Sequence, residues 1–296
     1  MNDNELIARI RALSRPLEPL PTAIEARLPR LAQVRAVLFD IYGTLFVSAA
    51  GEIGVGLAVD SDQAFAEALA AVGLPPRGSS ALLTAAIQAE HARKRAAGID
   101  YPEVDIIAIW QAVLAELGLQ APLEMARRLA LEYELRVNPV WPMPDLAETL
   151  AWLAGRGYLM GIVSNAQFFT PLLFPALVGK SLEELGFLPE LCLFSWRLGV
   201  AKPSTRPFEA ALTALVRHGV GAGEVLYVGN DIRNDIRPSV QVGMAGGLYA
   251  GDARSLRLRE DDPGCRDVEP TCIFKTLSQI PAVLGDSRLG IGGAIG

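Results

Sequence analysis

Six polar residues with catalytic or metal-binding chemistry follow four separate apolar runs of this sequence. They are Asp40, Ser164 with Asn165, Lys202, and Asp231 with Asp235. Gathered at one place, they would supply carboxylates, a hydroxyl, an amide and an ammonium. Paired carboxylates suit Mg²⁺, which is usually held by one or two carboxylates together with a substrate phosphate. A lysine and a serine beside them would stabilise a phosphoryl group in transfer, and an aspartate can act as a covalent nucleophile.

The elements that must position these groups are short, continuous apolar strands. One run ends at Asp40, and the others cover residues 158–163, 191–194, 225–228, 247–249 and 271–274. Helical patterns separate them, which is typical of a parallel sheet that is buried on both faces. In such sheets the chemistry lies at the carboxyl ends of the strands. The sequence therefore predicts an α/β fold with a doubly wound, parallel, Rossmann-like core.

The segment between the first two strands predicts an inserted, all-helical cap domain. Apolar residues recur at helical spacing in residues 61–72, 80–97, 104–117 and 123–137. Residues 138–144 contain three prolines and predict a hinge. The resulting domains are an N-terminal arm (1–34), a catalytic core (35–46 and 145–285), a helical cap with a glycine-rich flap loop (47–144) and a flexible tail (286–296).

Composition limits the classes of function. The chain has 296 residues, 51% of them hydrophobic, a net charge of -6 and three cysteines without close pairing. These values indicate a globular protein and argue against a nucleic-acid surface, a disulfide framework or a structural zinc site. No run approaches the roughly 20 apolar residues of a membrane-spanning helix. We expect a cytoplasmic protein that binds a small anionic substrate and neither nucleic acid nor membrane, whereas its oligomeric state stays open.

Four motifs in order resemble those of the haloacid dehalogenase-like (HAD) hydrolase superfamily. They are FDIYGTL, VSN, AKP and VGNDIRND, within about residues 36–250, and the helical insertion resembles the type 1 cap of that superfamily. The resemblance implies Asp40 as nucleophile, Ser164 as a ligand of the transferred group and Lys202 as the balancing charge. It further implies substrate contacts from Thr44, Ser164, Asn165 and Lys202. The implied Mg²⁺ ligands are Asp40, the main chain of Tyr42, Asp231 and Asp235.

Tyr42 departs from the phosphatase pattern, in which a second aspartate protonates the leaving group. A phenol with an ordinary pKa near 10 is a poor substitute at neutral pH. Asp-x-Tyr-Gly-Thr resembles instead the first motif of the metal-independent 2-haloacid dehalogenases. Asp231 and Asp235, however, keep the spacing found in phosphatases, and Phe208 stands where dehalogenases have a tyrosine. The favoured prediction is Mg²⁺-dependent hydrolysis of a small phosphorylated metabolite, with 2-haloacid dehalogenation as the alternative.

Two further hypotheses follow from the absent aspartate. A relative that binds a phosphorylated ligand without turnover would not need the acid. A phosphonoacetaldehyde hydrolase would instead use a cap lysine, for which Lys94 is the candidate. If the chain is a phosphatase, another group must act as acid and base. The candidates in the loop and cap are Glu52, Asp60, Glu90, His91, Glu103 and Asp105.

Overall fold

A six-stranded parallel sheet forms the centre of the molecule. The computed structural model describes residues 2–49, 60–120 and 122–285. The strands in these ranges are β1 (Ala36–Phe39), β2 (Phe46–Ser48), β3 (Val140–Pro142), β4 (Leu159–Ser164), β5 (Phe187–Phe194), β6 (Val225–Gly229), β7 (Ala245–Tyr249) and β8 (Cys272–Phe274). The sheet has the order β5-β4-β1-β6-β7-β8, and every pairing is parallel. The predicted α/β fold with a parallel sheet and a helical segment is confirmed.

Helices cover both the sheet and the segment inserted after β2. They are α1 (Asp3–Leu13), α2 (Ser61–Ala71), α3 (Ser80–Ala96), α4 (Ile106–Glu116), α5 (Leu123–Val137), α6 (Leu146–Gly155), α7 (Ser195–Leu198), α8 (Arg206–Val216), α9 (Arg237–Gln241) and α10 (Ile280–Val283). Short 3-10 or π turns cover Thr170–Leu172, Phe174–Val178, Ala222–Glu224, Ile232–Ile236 and Leu277–Gln279. None of the helices within the described ranges has both the length and the apolar content to cross a membrane.

The position of β1 in the sheet determines where polar groups meet. β1 lies between β4 and β6, so the strand order reverses at β1. β4 and β5 continue the sheet on one side of β1, and β6, β7 and β8 continue it on the other. All four residues of β1 are buried. At such a reversal of strand order the loops that follow neighbouring strands diverge and leave a crevice at their carboxyl ends. Residues directly after β1, β4 and β6 therefore lie side by side.

The four helices of the insertion share an apolar cluster of their own. Phe65 stacks on Trp110 with ring centroids 5.2 Å apart, and Tyr133 contacts both rings edge-on. Phe65 and Trp110 have no exposed surface. Burial of aromatic side chains on this scale dominates the stability of a small helical unit. The boundaries at residues 47 and 144 stay a prediction.

A two-stranded ribbon joins the insertion to the sheet. β2 pairs with β3 in antiparallel register, with Phe46 opposite Pro142 and Ser48 opposite Val140. The prolines of residues 138–144 predicted only a hinge. A proline is tolerated at the edge of a ribbon because no donor is required of it there. The segment predicted to be a hinge thus contains β3. The two chain segments that connect the insertion to the core, β2 and β3, are paired with each other.

The N-terminal arm begins with a helix that contacts both units. Leu6 and Ile10 of α1 are fully buried. Arg9 pairs with the buried Glu132 of α5 at 2.5 Å. On the other side, Arg11 Nε donates to the main-chain carbonyl of Ala176, in the turn Phe174–Val178 of the core, at 2.8 Å. The arm is therefore held by α5 and by the core together.

Candidate active site

Asp40 and Lys202 form an ion pair at the carboxyl end of β1. The Asp40 main-chain N–H donates to Val228 of β6 at 2.9 Å, which extends the ladder by one residue and fixes the carboxylate at the crevice. Lys202 Nζ lies 2.7 Å from Asp40 Oδ1. Both residues are buried, at 7% and 6% exposure. The buried ammonium balances the charge of the carboxylate, and a carboxylate held in this way can act as a nucleophile.

Three acceptors take up the three N–H donors of the Lys202 ammonium. Besides Asp40, they are Asp235 Oδ1 at 2.5 Å and the Tyr227 hydroxyl at 3.0 Å. Tyr227 donates in turn to the main-chain carbonyl of Val163 at 2.8 Å. Burial would lower the pKa of Lys202, but Asp235 and Asp40 outweigh it, so the pKa lies above its ordinary value. Lys202 is therefore a fixed positive charge at neutral pH.

Asp235 orients this ammonium from beneath the site. Its Oδ2 accepts the main-chain N–H groups of Asn230 at 3.0 Å and Asp231 at 2.9 Å. Gly229 permits the close approach, since a Cβ there would lie 2.4 Å from Asp235 Cγ. Burial raises the pKa of Asp235 to about 6, and Lys202 opposes the rise. Asp235 is thus ionised at neutral pH, with both oxygens engaged.

Asn165 positions the Lys202 main chain. Its Oδ1 accepts the Lys202 N–H at 2.8 Å, and its Nδ2 donates to the Lys202 carbonyl at 3.2 Å. Ser164 is buried, and its Oγ donates to the Asn165 carbonyl at 3.4 Å. Thr44 is fully buried and donates to the side chain of Asn230 at 3.1 Å. The predicted substrate contacts of Thr44 and Ser164 stay predictions, because the structure gives both hydroxyls protein partners.

The Tyr42 hydroxyl is turned into the protein. It lies 2.9 Å from Thr170 Oγ1, and Tyr42 is 7% exposed. Burial raises the pKa of Tyr42 far above its ordinary value, and the nearby Glu134 adds to the rise. The phenol is therefore neither an acid nor a base at neutral pH. The proton chemistry of a second aspartate is absent from position 42, as the sequence predicts.

Asp231 is paired with Arg259, a residue that the sequence did not associate with the site. Arg259 Nη2 lies 2.6 Å from Asp231 Oδ2, and Arg259 Nε lies 3.2 Å from both carboxylate oxygens. The main-chain N–H groups of Arg233 and Asn234 also donate to Oδ1, at 2.8 Å and 3.2 Å. Asp231 thereby begins the π turn that follows β6 and faces a guanidinium instead of solvent.

A family model described as haloacid dehalogenase-like hydrolase matches residues 34–243, more than half of the chain. The chain belongs to the haloacid dehalogenase-like hydrolases. Among solved structures, it is similar to a 2-haloacid dehalogenase from Pseudomonas syringae pv. Tomato DC3000, with 22% identity, a TM-score of 0.56 and 84% and 97% of the two chains covered. At this identity the likeness shows the fold alone.

Two further solved structures are similar to this HAD hydrolase. One is a HAD phosphatase from Thermococcus onnurineus, with 21% identity, a TM-score of 0.48 and 84% of this chain and 97% of that chain covered. The other is a predicted phosphoglycolate phosphatase from Haemophilus somnus 129pt, with 17% identity, a TM-score of 0.46 and 85% and 98% covered. No curated protein matches the sequence. These similar structures thus include both phosphatases and dehalogenases.

The carboxylates of this HAD hydrolase do not fit the predicted Mg²⁺ site as they are arranged. Both oxygens of Asp231 are engaged by Arg259, and both oxygens of Asp235 accept hydrogen bonds. Within residues 2–49, 60–120 and 122–285, no group of three His, Cys, Asp or Glu side chains is arranged to hold a metal ion. Mg²⁺ has to displace Arg259 from Asp231 before it can bind there, so the metal stays a prediction.

A cavity of about 820 Å³ lies between the sheet edge and the cap of the HAD hydrolase. Asp40, Lys202 and Asp235 line its core side, and residues of α3, α4 and α5 line its cap side. Its walls carry cationic or potentially cationic groups (His91, Arg95, Lys202, Arg233 and Arg259) together with six carboxyl groups (Asp40, Asp100, Glu103, Glu134, Asp231 and Asp235). The cationic groups of this mixed lining can bind a small anion near Asp40.

Three of the predicted acid and base candidates lie away from this cavity. Asp60 and Asp105 are used as N-caps of α2 and α4. Glu90 pairs with Arg93 on the surface of α3 at 2.7 Å. Glu52 lies outside the described residues, as does the predicted flap loop.

The two other candidates, His91 and Glu103, line the cavity. Burial lowers the pKa of His91, and nearby arginine and lysine charges lower it further. Glu103 is occupied in docking the cap: its Oε2 accepts from Ser195 of the core at 2.6 Å, and its Oε1 accepts from Gln167 at 3.2 Å. Lys94 donates to the Glu103 carbonyl at 2.5 Å and lies outside the cavity wall, which disfavours a Schiff-base role.

Glu134 is a cavity carboxyl that the sequence analysis missed. It belongs to a stripe of α5 that faces the cavity at helical spacing, together with Ala130, Tyr133 and Val137. Its Oε1 accepts from Asn138 at 3.0 Å. Burial raises the pKa of Glu134 to about 7. Helical spacing in the sequence groups these four residues on one face of α5, but it does not indicate that this face turns toward the cavity.

Proposed function

We propose that this HAD hydrolase cleaves a small phosphate monoester through a covalent intermediate on Asp40. The observation that carries the proposal is the Asp40–Lys202 pair, 2.7 Å apart, in the wall of a cavity whose lining also includes Arg95, Arg233 and Arg259. Asp40 attacks phosphorus, the ester P–O bond breaks, and the alcohol leaves with a proton. Water then attacks the aspartyl-phosphate, and release of phosphate restores the carboxylate.

Glu134 is the candidate proton donor for the leaving alcohol and the candidate base for the attacking water. Three features support this role: its place in the cavity wall, its nearness to Tyr42, and a pKa of about 7 raised by burial. A carboxyl poised near neutral pH is suited to give a proton in the first step and accept one in the second. Glu134 would thus provide, from the cap, the proton transfer that Tyr42 in the first motif does not provide.

The leaving group distinguishes this role from a structural one. An alkyl alcohol needs a proton to leave, whereas p-nitrophenolate leaves without one. We therefore expect Glu134→Gln to slow an alkyl phosphate by about 10²-fold or more while slowing p-nitrophenyl phosphate far less. Equal losses on the two esters would refute the acid role. Turnover of both is measured as phosphate release, with Glu116→Gln on the exposed face of α4 as the control.

Dehalogenation of a 2-haloacid is the second candidate. It is favoured by the inward-turned Tyr42 and by the Arg259 pairing of Asp231, because halide departure needs neither an acid nor a metal. Asp40 would then attack the carbon that bears the halogen, and the carbon–halogen bond would break as the ester forms.

The test compares phosphate release from p-nitrophenyl phosphate with chloride release from 2-chloropropionate. Asp40→Asn is the inactive variant, and Asp267→Asn at an exposed loop position is the matched control. Phosphate release that is lost only in Asp40→Asn, with a phosphoryl group trapped on Asp40 by acid quenching, supports the proposal. Chloride release alone would replace it with the second candidate. Failure of both, across a panel of phosphorylated metabolites, would favour a ligand-binding relative.

A further inference from the structure

A forked ion pair between Arg259 and Asp231 lies in the wall of the catalytic cavity. Nη2 approaches Oδ2 at 2.6 Å, and Nε is 3.2 Å from each oxygen. The side chain of Asp231 is 6% exposed and that of Arg259 26%. A planar guanidinium that meets a carboxylate in this way forms the strongest kind of side-chain hydrogen bond, and burial increases its strength.

We propose that Arg259 is the resident cation of this site and takes the place of the divalent metal at Asp231. The enzyme would then act on its substrate without Mg²⁺. This inference rests on the proposed function only for the role of Asp40. The exclusion of metal from Asp231 follows from contacts among described residues alone.

The donors around Asp231 leave its carboxylate no room for a further ligand. Oδ1 accepts from the main chain of Arg233 and Asn234, and Oδ2 accepts from Asn234 Nδ2 at 3.0 Å. With Arg259 added, these groups fill the roughly four lone-pair directions of a carboxylate. A metal ion would have to break the forked pair first, and would leave a part-buried guanidinium without its partner.

The chain segment that carries Arg259 is built into the loop that carries Asp231. Arg257 N–H donates to the Asn230 carbonyl at 3.0 Å, and Ile232 N–H donates to the Arg257 carbonyl at 2.9 Å. Arg259 itself has φ 56°, in the left-handed region that side chains other than glycine rarely adopt. Such a backbone persists only where its surroundings hold it. The arginine is thus placed by the main chain and does not reach Asp231 by chance from a free loop.

Charges at the sheet edge are consistent with a built-in cation. Asp40, Asp231 and Asp235 carry three negative charges, and of these carboxylates Lys202 contacts Asp40 and Asp235. Asp231 would otherwise be a buried carboxylate with only neutral donors, which is costly in a low-dielectric site. Arg259 supplies the missing positive charge without a metal.

The test measures Mn²⁺, a paramagnetic substitute for Mg²⁺, by electron paramagnetic resonance, with no turnover involved. The full-length protein is compared with Arg259→Ala and with Arg259→Gln, which keeps much of the side-chain length. Arg233→Ala is the matched control, because it removes a cavity guanidinium that does not contact the Asp231 carboxylate and keeps the main-chain N–H. Thermal melts establish that each variant is folded.

We expect no saturable Mn²⁺ binding by the wild type or Arg233→Ala up to about 1 mM. Arg259→Ala or Arg259→Gln should bind at least about tenfold more tightly, and adding Asp231→Asn should abolish the gain. Saturable binding by the wild type that Asp231→Asn removes would overturn the inference. So would folded Arg259 variants that bind no better than Arg233→Ala, since the ion pair would then be only structural.

This result is separable from that of the proposed function. If no phosphate is released, but the wild type excludes Mn²⁺ and Arg259→Ala binds it, the proposed reaction is rejected and the proposed role of Arg259 is retained. If the wild type releases phosphate and also binds Mn²⁺ through Asp231, the proposed reaction is retained and the proposed role of Arg259 is rejected.

Discussion

Replacing Glu134 by Gln should stabilise the folded protein at alkaline pH and not at acidic pH. Burial in the cavity wall raises the pKa of Glu134 from its ordinary value of 4.5 to about 7. The folded state therefore binds this proton more tightly than the unfolded state does. Below pH 4.5 both states are protonated, and the residue costs nothing. As the pH rises toward 7 the unfolded state ionises first, so the free energy of unfolding falls.

The size of the effect follows from the same two values. The difference between 4.5 and about 7 corresponds to about 3 kcal/mol, reached above pH 7 and constant thereafter. This figure is an upper value, because part of the Glu134 side chain faces the cavity and its water. Gln keeps the acceptor for Asn138 Nδ2 and removes the ionisation.

Urea unfolding followed by circular dichroism at pH 4.5 and pH 8 measures the prediction. The difference between Glu134→Gln and wild type should grow by about 1 to 3 kcal/mol between these values. Glu116→Gln, on the exposed face of α4, controls for the change in net charge. A difference that does not change with pH, or one that shrinks as the pH rises, would refute the assignment of a raised pKa to Glu134.

Three other substitutions test the site and the cap. Tyr227→Phe removes the hydroxyl that accepts from Lys202, and we expect kcat to fall by about tenfold with KM unchanged; steady-state kinetics that show only a KM change would contradict this. Gly229→Ala places a Cβ 2.4 Å from Asp235 Cγ, and we expect at least about 1 kcal/mol of lost stability in urea together with lower kcat; full activity would show that Asp235 can move. Trp110→Ala empties the centre of the cap and should lower the free energy of unfolding in urea by about 3 to 5 kcal/mol. A loss below about 1 kcal/mol would mean that the cap repacks to fill the space left by the indole.

The parallel sheet and the position of Asp40 at its carboxyl edge could be predicted because their signals are local. A strand buried on both faces is a continuous apolar run, and the polar residue that ends it is adjacent in sequence, as with Asp40 after β1. The cap helices were equally accessible because their apolar residues recur at helical spacing. β2 and β3 were missed, since three-residue strands carry too little pattern to be separated from a loop.

The contacts around the predicted carboxylates could not be predicted, because they are made by residues distant in sequence. Arg259 lies in an irregular loop that follows β7, and nothing in its local sequence indicates a partnership with Asp231. Tyr227 looked like one more apolar residue of a strand, although a buried tyrosine usually has a partner for its hydroxyl. Glu134 was hidden because the cap sequence fixes its helix and not the direction in which that helix faces.

α1 has a consequence for the size of the substrate. The cap is attached to the sheet by the β2–β3 ribbon and, separately, through the contacts of α1 with both α5 and the core turn Phe174–Val178. Rotation about one attachment is opposed by the other, so wide separation of cap and sheet requires α1 to detach from one of them. We therefore expect small molecules to reach the cavity, and a phosphate on the surface of a folded protein to be kept out. The N-terminal helix, which contacts α5 and the core turn, is thereby expected to limit the size of a molecule that can reach Asp40.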